Sequence, residues 1–401
     1  MNIEARNNLT IEKFVAEAQE LSEYTRSLRR DIHRHPELGF QEVRTAGIVA
    51  QELNALGLPV KTGVAETGVV ALLEGNQPGP TLLLRFDMDA LPIHEQTGAE
   101  YASQTAGVMH ACGHDGHVAI GLTVARLLHE HRAEWSGRIK FVFQPAEEGL
   151  GGAPRMVAEG VLENPKPDMA LALHLWNLQP VGWFGVTPGP VMAAAEDFRV
   201  ILTGKGGHGA IPDLAVDSIY AAAQVITALQ SIVSRNVPPM QTAVVSVTMI
   251  RGGETYNVIP SQVELQGTIR TFDPGVRQMV LKRFDEIISG VASSLGCQAE
   301  VEFQPSNPAL VNEGEITKRI QATVMRVFPD SVLDTQFSTM GSEDMAFITQ
   351  YIPACFFFIG SSNPAKGLDA GQHHPCFDFD EEVLPRAVAL MAASAVEFLK
   401  K

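Results

Sequence analysis

The sequence predicts an α/β domain interrupted by an inserted α+β domain, and three observations carry that reading. Strand-sized apolar runs alternate with helical stretches through the first 185 residues. Near Pro190 the pattern changes to alternating half-buried strands, and after Pro305 the first style returns. At 401 residues the chain is also too long for one small domain, and its 45 % hydrophobic and 19 % charged residues suit a large core.

The elements follow in order. Amphipathic stretches at 11–34 and 43–56 predict two helices. Apolar runs at 69–73, 82–86, 139–143 and 169–173 end in polar residues or glycine, the pattern of buried parallel strands. Val118, Leu122, Ala125 and Leu128 place a helix after Gly116. In the insertion, Phe198, Val200 and Leu202 alternate; a helix is predicted at 215–234, strands at 243–250 and 262–271, a helix at 276–291 and a strand at 297–304. That order is the ferredoxin-like arrangement. A helix at 316–328, a strand at 355–359 and a helix at 381–399 complete the chain. The domains are drawn at 1–189 with 306–401, and at 190–305.

A formal net charge of −16 argues against nucleic acid, which needs a positive face. Cys112, Cys297, Cys355 and Cys376 are too few and too scattered for a disulfide framework. The N-terminus lacks a basic start followed by an apolar run, and no apolar stretch approaches the ~20 residues of a membrane span. A cytoplasmic protein is expected, with no membrane partner.

Polar clusters fall just past several predicted strands. Asp87 and Asp89 follow the second run, Glu147 and Glu148 the third, His174 the fourth, and His373 and His374 the strand at 355–359. In open α/β sheets ligands bind outside the carboxyl ends of the strands. Within His110-Ala-Cys-Gly-His-Asp-Gly-His117, Cys112 and His114 can both point into one site, and thiolate and imidazole bind zinc and other late divalent metals. A thiol nucleophile is the competing use of Cys112, and an ordinary polar loop the bland one; His110 and His117 are read as bland or as orienting groups. Two buried neighbouring carboxylates repel unless a cation is present, so one of Glu147 and Glu148 would bind metal and the other take a proton from water. Asp378, Asp380 and Glu381 are read as a polar turn and helix start.

Eight segments, RRDIHRHPELGFQE, LLLRFDMDALPI, HACGHDGH, FQPAEEG, GKGGHGA, NVIP, GTIRTFD and HHPCFDFDEE, stand in the order found in one family. Over residues 25–395 the chain resembles the aminoacylase/carboxypeptidase-like metallopeptidases, in the branch of hippurate hydrolases, N-acyl-amino-acid amidohydrolases and auxin-conjugate hydrolases. The resemblance implies a zinc-peptidase-like α/β catalytic domain carrying an inserted lid that also dimerises. It places metal ligands at Cys112, His114, Glu148, His174 and His373, for two divalent ions of zinc, manganese, cobalt or nickel. His373 is taken over His374 because the family pattern reads His, any residue, Pro. Glu147 falls on the general base and Asp89 on a residue that orients a ligand. On the lid, His208 matches a histidine that reaches the substrate oxygen, in the partner subunit's site, and Asn257 and Arg270 match positions that hold a substrate carboxylate. Relatives place a histidine after the lid proline where this chain has Asp213.

The implied activity is hydrolysis of a small N-acyl amino acid by a homodimer or higher homo-oligomer, releasing a carboxylic acid and a free amino acid. Glu147 serves as base, His208 as oxyanion donor, and Asn257 or Arg270 holds the carboxylate. A dipeptidase or carboxypeptidase using the same site is the enzymatic alternative. A binding protein that kept the fold and lost catalysis is the non-enzymatic one.

Overall fold

The computed structural model describes residues 13–304 and 307–399. The first predicted helix therefore begins outside the described residues, as does the N-terminus examined for a leader. Residues 13–20 are helical and lead into α1, Ser22–Arg34. Bonds from Leu21 N–H to Glu17 O and from Thr25 N–H to Leu21 O carry the helix through the junction.

In chain order the other helices longer than one turn are α2 (Val43–Ala55), α3 (His114–Glu130), α4 (Gly152–Ala158), α5 (Ser218–Ser231), α6 (Pro274–Ser294), α7 (Gly314–Val327) and α8 (Val383–Leu399). The strands of the two larger sheets are β1 (Val60–Val64), β2 (Gly68–Glu74), β3 (Thr81–Asp87), β4 (Arg138–Gln144), β5 (Met169–Pro180), β6 (Trp183–Gly185), β7 (Ala194–Thr203), β8 (Ala243–Arg251), β9 (Gln262–Thr271), β10 (Gln298–Gln304), β11 (Val332–Asp334) and β12 (Ala354–Ser362).

The chain divides into two compact units. The first holds the chain up to Gly189, Val311–Phe337 and the chain from Asp344 onward. Its eight-stranded sheet runs β1-β2-β4-β3-β5-β12-β6-β11, with β4, β3, β5 and β12 mutually parallel at the centre. All seven residues of β3 and all nine of β12 are buried, which is why both read as unbroken apolar runs. α3 lies close against the sheet because Gly121 has no side chain: a Cβ there would stand 2.7 Å from the Phe86 ring.

One predicted boundary differs. The run at 169–173 was expected to end before His174, but β5 continues to Pro180 because β12 keeps pairing with it, Phe358 opposite His174. A polar residue in an apolar run reads as a strand end from sequence, and here it is a mid-strand side chain. The three-residue strands β6 and β11 have no periodicity to read.

The second unit holds Pro190–Leu310 and also Ser338–Glu343, a short segment that the sequence pattern assigns to the other domain. Its order β7-α5-β8-β9-α6-β10 and its antiparallel sheet β8-β9-β7-β10 give the ferredoxin-like topology. Val280, Phe284 and Ile288 of α6 pack with Phe198, Val200, Leu202 and Leu265. α5 starts at Ser218 rather than 215 because Asp217 caps it, its carboxylate accepting from the Ile219 and Tyr220 N–H groups.

Candidate metal centre

The candidate residues of the first unit gather at the carboxyl end of the central strands. β3 ends at Asp87, and Asp89 lies two residues on. The Asp89 backbone carbonyl accepts from His114 Nδ1 at 2.9 Å, and its Oδ2 accepts from the Glu148 N–H at 2.9 Å. Asp89 thereby holds the loops after β3 and β4 and the start of α3 in one register. With the proton of His114 on Nδ1, Nε2 is left as a donor atom. His174 is set the same way: Nδ1–H donates to Leu175 O at 2.7 Å, leaving Nε2 3.4 Å from Cys112 Sγ.

The turn after β4 is built to present two carboxylates. Ala146 takes a left-handed φ of 56°, its N–H bonded to buried Glu42 at 2.9 Å, and Glu147 and Glu148 follow. Glu147 Oε1 accepts from the Asp344 N–H at 3.4 Å. Across the site His373, at φ 63°, has its N–H tied to Ala111 O at 2.7 Å and its Nε2 3.4 Å from Glu148 Oε1. His374 is turned elsewhere and accepts from the Cys376 N–H at 3.0 Å.

Donor atoms converge in sets, all within 4.8 Å: Cys112 with His114 and His174, Cys112 with Glu148 and His373, and His114 with Glu147 and Glu148. Cys112 belongs to two of these sets, so one thiolate stands where two cations could share it. His114 Nε2 and Glu148 Oε1 are buried, have no hydrogen-bond partner, and stand 3.9 Å apart. That separation is too long for a hydrogen bond, and two unsatisfied donor atoms facing one another fit a divalent cation. Sulfur, nitrogen and oxygen donors together suit zinc, manganese, cobalt or nickel.

The electrostatics reflect this crowding. Burial opposes charge on His114, yet Asp87 and Cys112 hold its pKa well above the ordinary value. The neighbouring Cys112 and Glu148 push His373 up to about 10. Burial, then the Glu148 charge, raises the Cys112 thiol. Burial, aided by His117, drives His174 well down.

His117 is saturated: Nδ1 bonds Asp87 Oδ1 at 2.5 Å and Nε2 accepts the Leu175 N–H at 3.0 Å. It orients the floor of the site and has no nitrogen left for a metal. His110 is buried with neither ring nitrogen partnered, and burial lowers its pKa to about 4.

Beneath the site lies an ion network that the sequence reading missed. Arg29 of α1 is fully buried and bonds Asp115 at 2.8 Å, Asp378 at 2.6 Å and Glu381 at 3.1 Å, its guanidinium between the rings of Tyr101 and Phe379. Asp378 and Glu381, expected as a polar turn and helix start, thus also anchor the segment after His373. Thr25, Arg29 and His33 recur every four residues on the buried face of α1, and that polar stripe was the available signal. Lysine has neither the planar fork nor the stacking face. Arg29→Lys is expected to lower unfolding stability by about 1.5–3 kcal/mol, measured by denaturant titration.

The model of peptidase family M20/M25/M40 matches residues 83–397. The chain belongs to this family. Among its M20-like relatives, N-acetylcysteine deacetylase of Bacillus subtilis is 39 % identical over 93 % of this chain and 96 % of its own length. Thermostable carboxypeptidase 1 of Saccharolobus solfataricus is 38 % identical over 98 % and 99 %. The crystal structure of the Bacillus subtilis YXEP protein, a dinuclear metal binding peptidase from the M20 family, superposes with a TM-score of 0.82 at 35 % identity, covering 95 % of this chain and 99 % of that one.

The other candidate residues of this M20 chain lie on the second unit. His208 and Asn257 are neighbours: His208 pairs with Val258, and Gly209 N–H donates to Asn257 O at 2.8 Å. Both line a cavity of about 1030 Å³. His208 Nδ1 accepts from the Ala210 N–H at 3.1 Å, which puts its proton on Nε2. Arg270 is absent from that cavity. It sits at the end of β9 opposite Ala195, eight residues or ~26 Å along the strand from Gln262. Within one chain Asn257 and Arg270 therefore stand at separate places on the second unit. Asp213 is the middle residue of a short 3₁₀ turn, Pro212–Leu214, and is exposed.

Proposed function

We propose that this M20 hydrolase cleaves N-acyl amino acids at a binuclear centre held by Cys112, His114, Glu148, His174 and His373. The membership of Cys112 in two donor sets carries the reading. When bound, divalent cations supply Lewis-acid polarisation of the scissile carbonyl and acidify water. Glu147 takes the water proton and returns it to the departing amine. Its position supports that role: Glu148 shares a donor set with Cys112 and His373, whereas Glu147 does not. Asp89 holds His114 and Glu148 in place for both cations.

His208 Nε2–H donates to the oxyanion, and Arg270 or Asn257 holds the substrate carboxylate. The separation of Arg270 from the His208 cavity supports a homodimer in which the second unit is a lid and His208 serves the neighbouring subunit. We place the enzyme in the cytoplasm; no described helix is long and apolar enough to cross a membrane. The kinship to a carboxypeptidase favours one second reading, cleavage of free peptides at the same site.

Stripped by a chelator, the protein should lose turnover of N-acyl amino acids and regain it with zinc, manganese, cobalt or nickel. Cys112→Ser should reduce metal content as well as rate. Full activity in protein shown to be metal-free by elemental analysis overturns the proposal. Faster cleavage of free dipeptides than of their N-acyl counterparts selects the second reading.

A further inference from the structure

Asp344 is the first residue of the chain's return to the first unit, directly after Ser338–Glu343 of the second. It is fully buried, and its carboxylate is held by three elements of the first unit. Oδ1 accepts from Arg85 Nη2 at 3.0 Å and from Gln144 Nε2 at 2.7 Å, and Oδ2 accepts from the Ala153 N–H at 2.8 Å. Arg85 lies on β3, Gln144 closes β4 and Ala153 stands in the first turn of α4. Arg85 is itself fixed, Nε donating to Gln144 Oε1 at 2.8 Å and Nη1 to Asp87 Oδ2 at 2.6 Å.

A buried carboxylate is costly unless donors meet its oxygens, and a guanidinium, a side-chain amide and a backbone N–H do so here. The same residue has a second contact, through its backbone: Asp344 N–H donates to Glu147 Oε1 at 3.4 Å. Side chain and N–H of one residue cannot move independently, so tying the carboxylate to β3, β4 and α4 fixes where the N–H points. The linkage is closed over a short stretch of chain. Gln144 grips the Asp344 side chain, and Glu147, three residues on, receives the Asp344 amide. A long bond from a neutral donor orients a carboxylate and leaves it basic, whereas a short charge-assisted bond would hold the anion and weaken it as a base.

We propose that Asp344 is a positioning residue for the reaction: clamped by Arg85, Gln144 and Ala153, it uses its backbone N–H to aim the Glu147 carboxylate at the attacking water. This rests on the reading of Glu147 as the base. The Asp344 carboxylate, engaged by three donors, takes no proton itself and acts only through Glu147.

The test is Asp344→Asn, alone and combined with Glu147→Gln, in the metal-loaded enzyme turning over an N-acyl amino acid, or a dipeptide if that is what the wild type cleaves. Asparagine keeps the volume, but either orientation of its amide sets an NH₂ group against a donor, Arg85 and Gln144 on one side or the Ala153 N–H on the other, and the clamp opens. Asp344→Asn should lose at least ~10-fold in kcat with KM and metal content within about twofold of wild type. Added to Glu147→Gln it should change kcat by less than about twofold, because no base is left to aim. Wild-type kcat in metallated Asp344→Asn, or the same loss in both backgrounds, overturns the proposal. Wild-type activity in Glu147→Gln alone overturns the base reading and the positioning role together, so that single variant separates the two failures. Should Asp344→Asn not fold, Gln144→Met removes one of the three donors at similar volume. A kcat loss in Gln144→Met that vanishes beside Glu147→Gln sustains the proposal, and an unchanged kcat or an equal loss in both backgrounds overturns it.

Discussion

Glu147→Gln is expected to retain its full complement of metal and to lose at least ~10²-fold in kcat, whereas Glu148→Gln should lose the metal itself. The two residues are adjacent, follow the same buried strand and differ by no local sequence signal. What separates them is their surroundings. Glu148 Oε1 is an unpartnered buried oxygen facing His114 and lying 3.4 Å from His373, and its backbone is tied to Asp89. Glu147 shares no donor set with Cys112. Glutamine keeps the size of the side chain and removes its basicity, so it isolates proton transfer from packing. Elemental analysis alongside steady-state kinetics reads both halves. Loss of metal in Glu147→Gln with retention in Glu148→Gln would exchange the two roles.

His208→Ala should be nearly inactive yet fully metallated, because losing one oxyanion donor typically costs ~10²–10³ in rate. Its proton is already on Nε2, so the donor is set before substrate arrives. Whether it acts on its own subunit is read by mixing it with Glu147→Gln. If His208 acts across a dimer, half of the randomly paired dimers are mixed, and each has one site with both residues intact. Activity should then reappear at up to about a quarter of wild type. A mixture that demonstrably exchanges subunits and stays inactive assigns His208 to its own chain, or to no catalytic role.

Much of this was legible in the sequence because it is written in short-range pattern. Buried parallel strands are apolar runs, and ligands gather past their ends, so Asp89, Glu147 and Glu148 could be located from the runs alone. The ferredoxin-like order of the second unit was legible for the same reason. Long-range facts were hidden. The continuation of β5 past His174 depends on what β12 does almost two hundred residues later. Arg29 looks like a surface arginine until its three carboxylate partners arrive from residues 115, 378 and 381. Asn257 and Arg270 both match lid motifs, and only strand pairing reveals that Asn257 adjoins the short His208–Val258 ladder while Arg270 lies on the four-stranded sheet.

The raised pKa values at the centre make metal uptake an exchange reaction. His114, His373 and Cys112 all hold their protons above neutral pH in the folded chain, His373 up to about 10. A cation that takes these donor atoms must expel those protons, so each proton displaced makes apparent affinity rise about tenfold per pH unit below the donor's pKa. Acidification reverses the exchange and refills the centre with protons. Acid-side loss of activity is therefore expected to be offset by raising the free metal concentration.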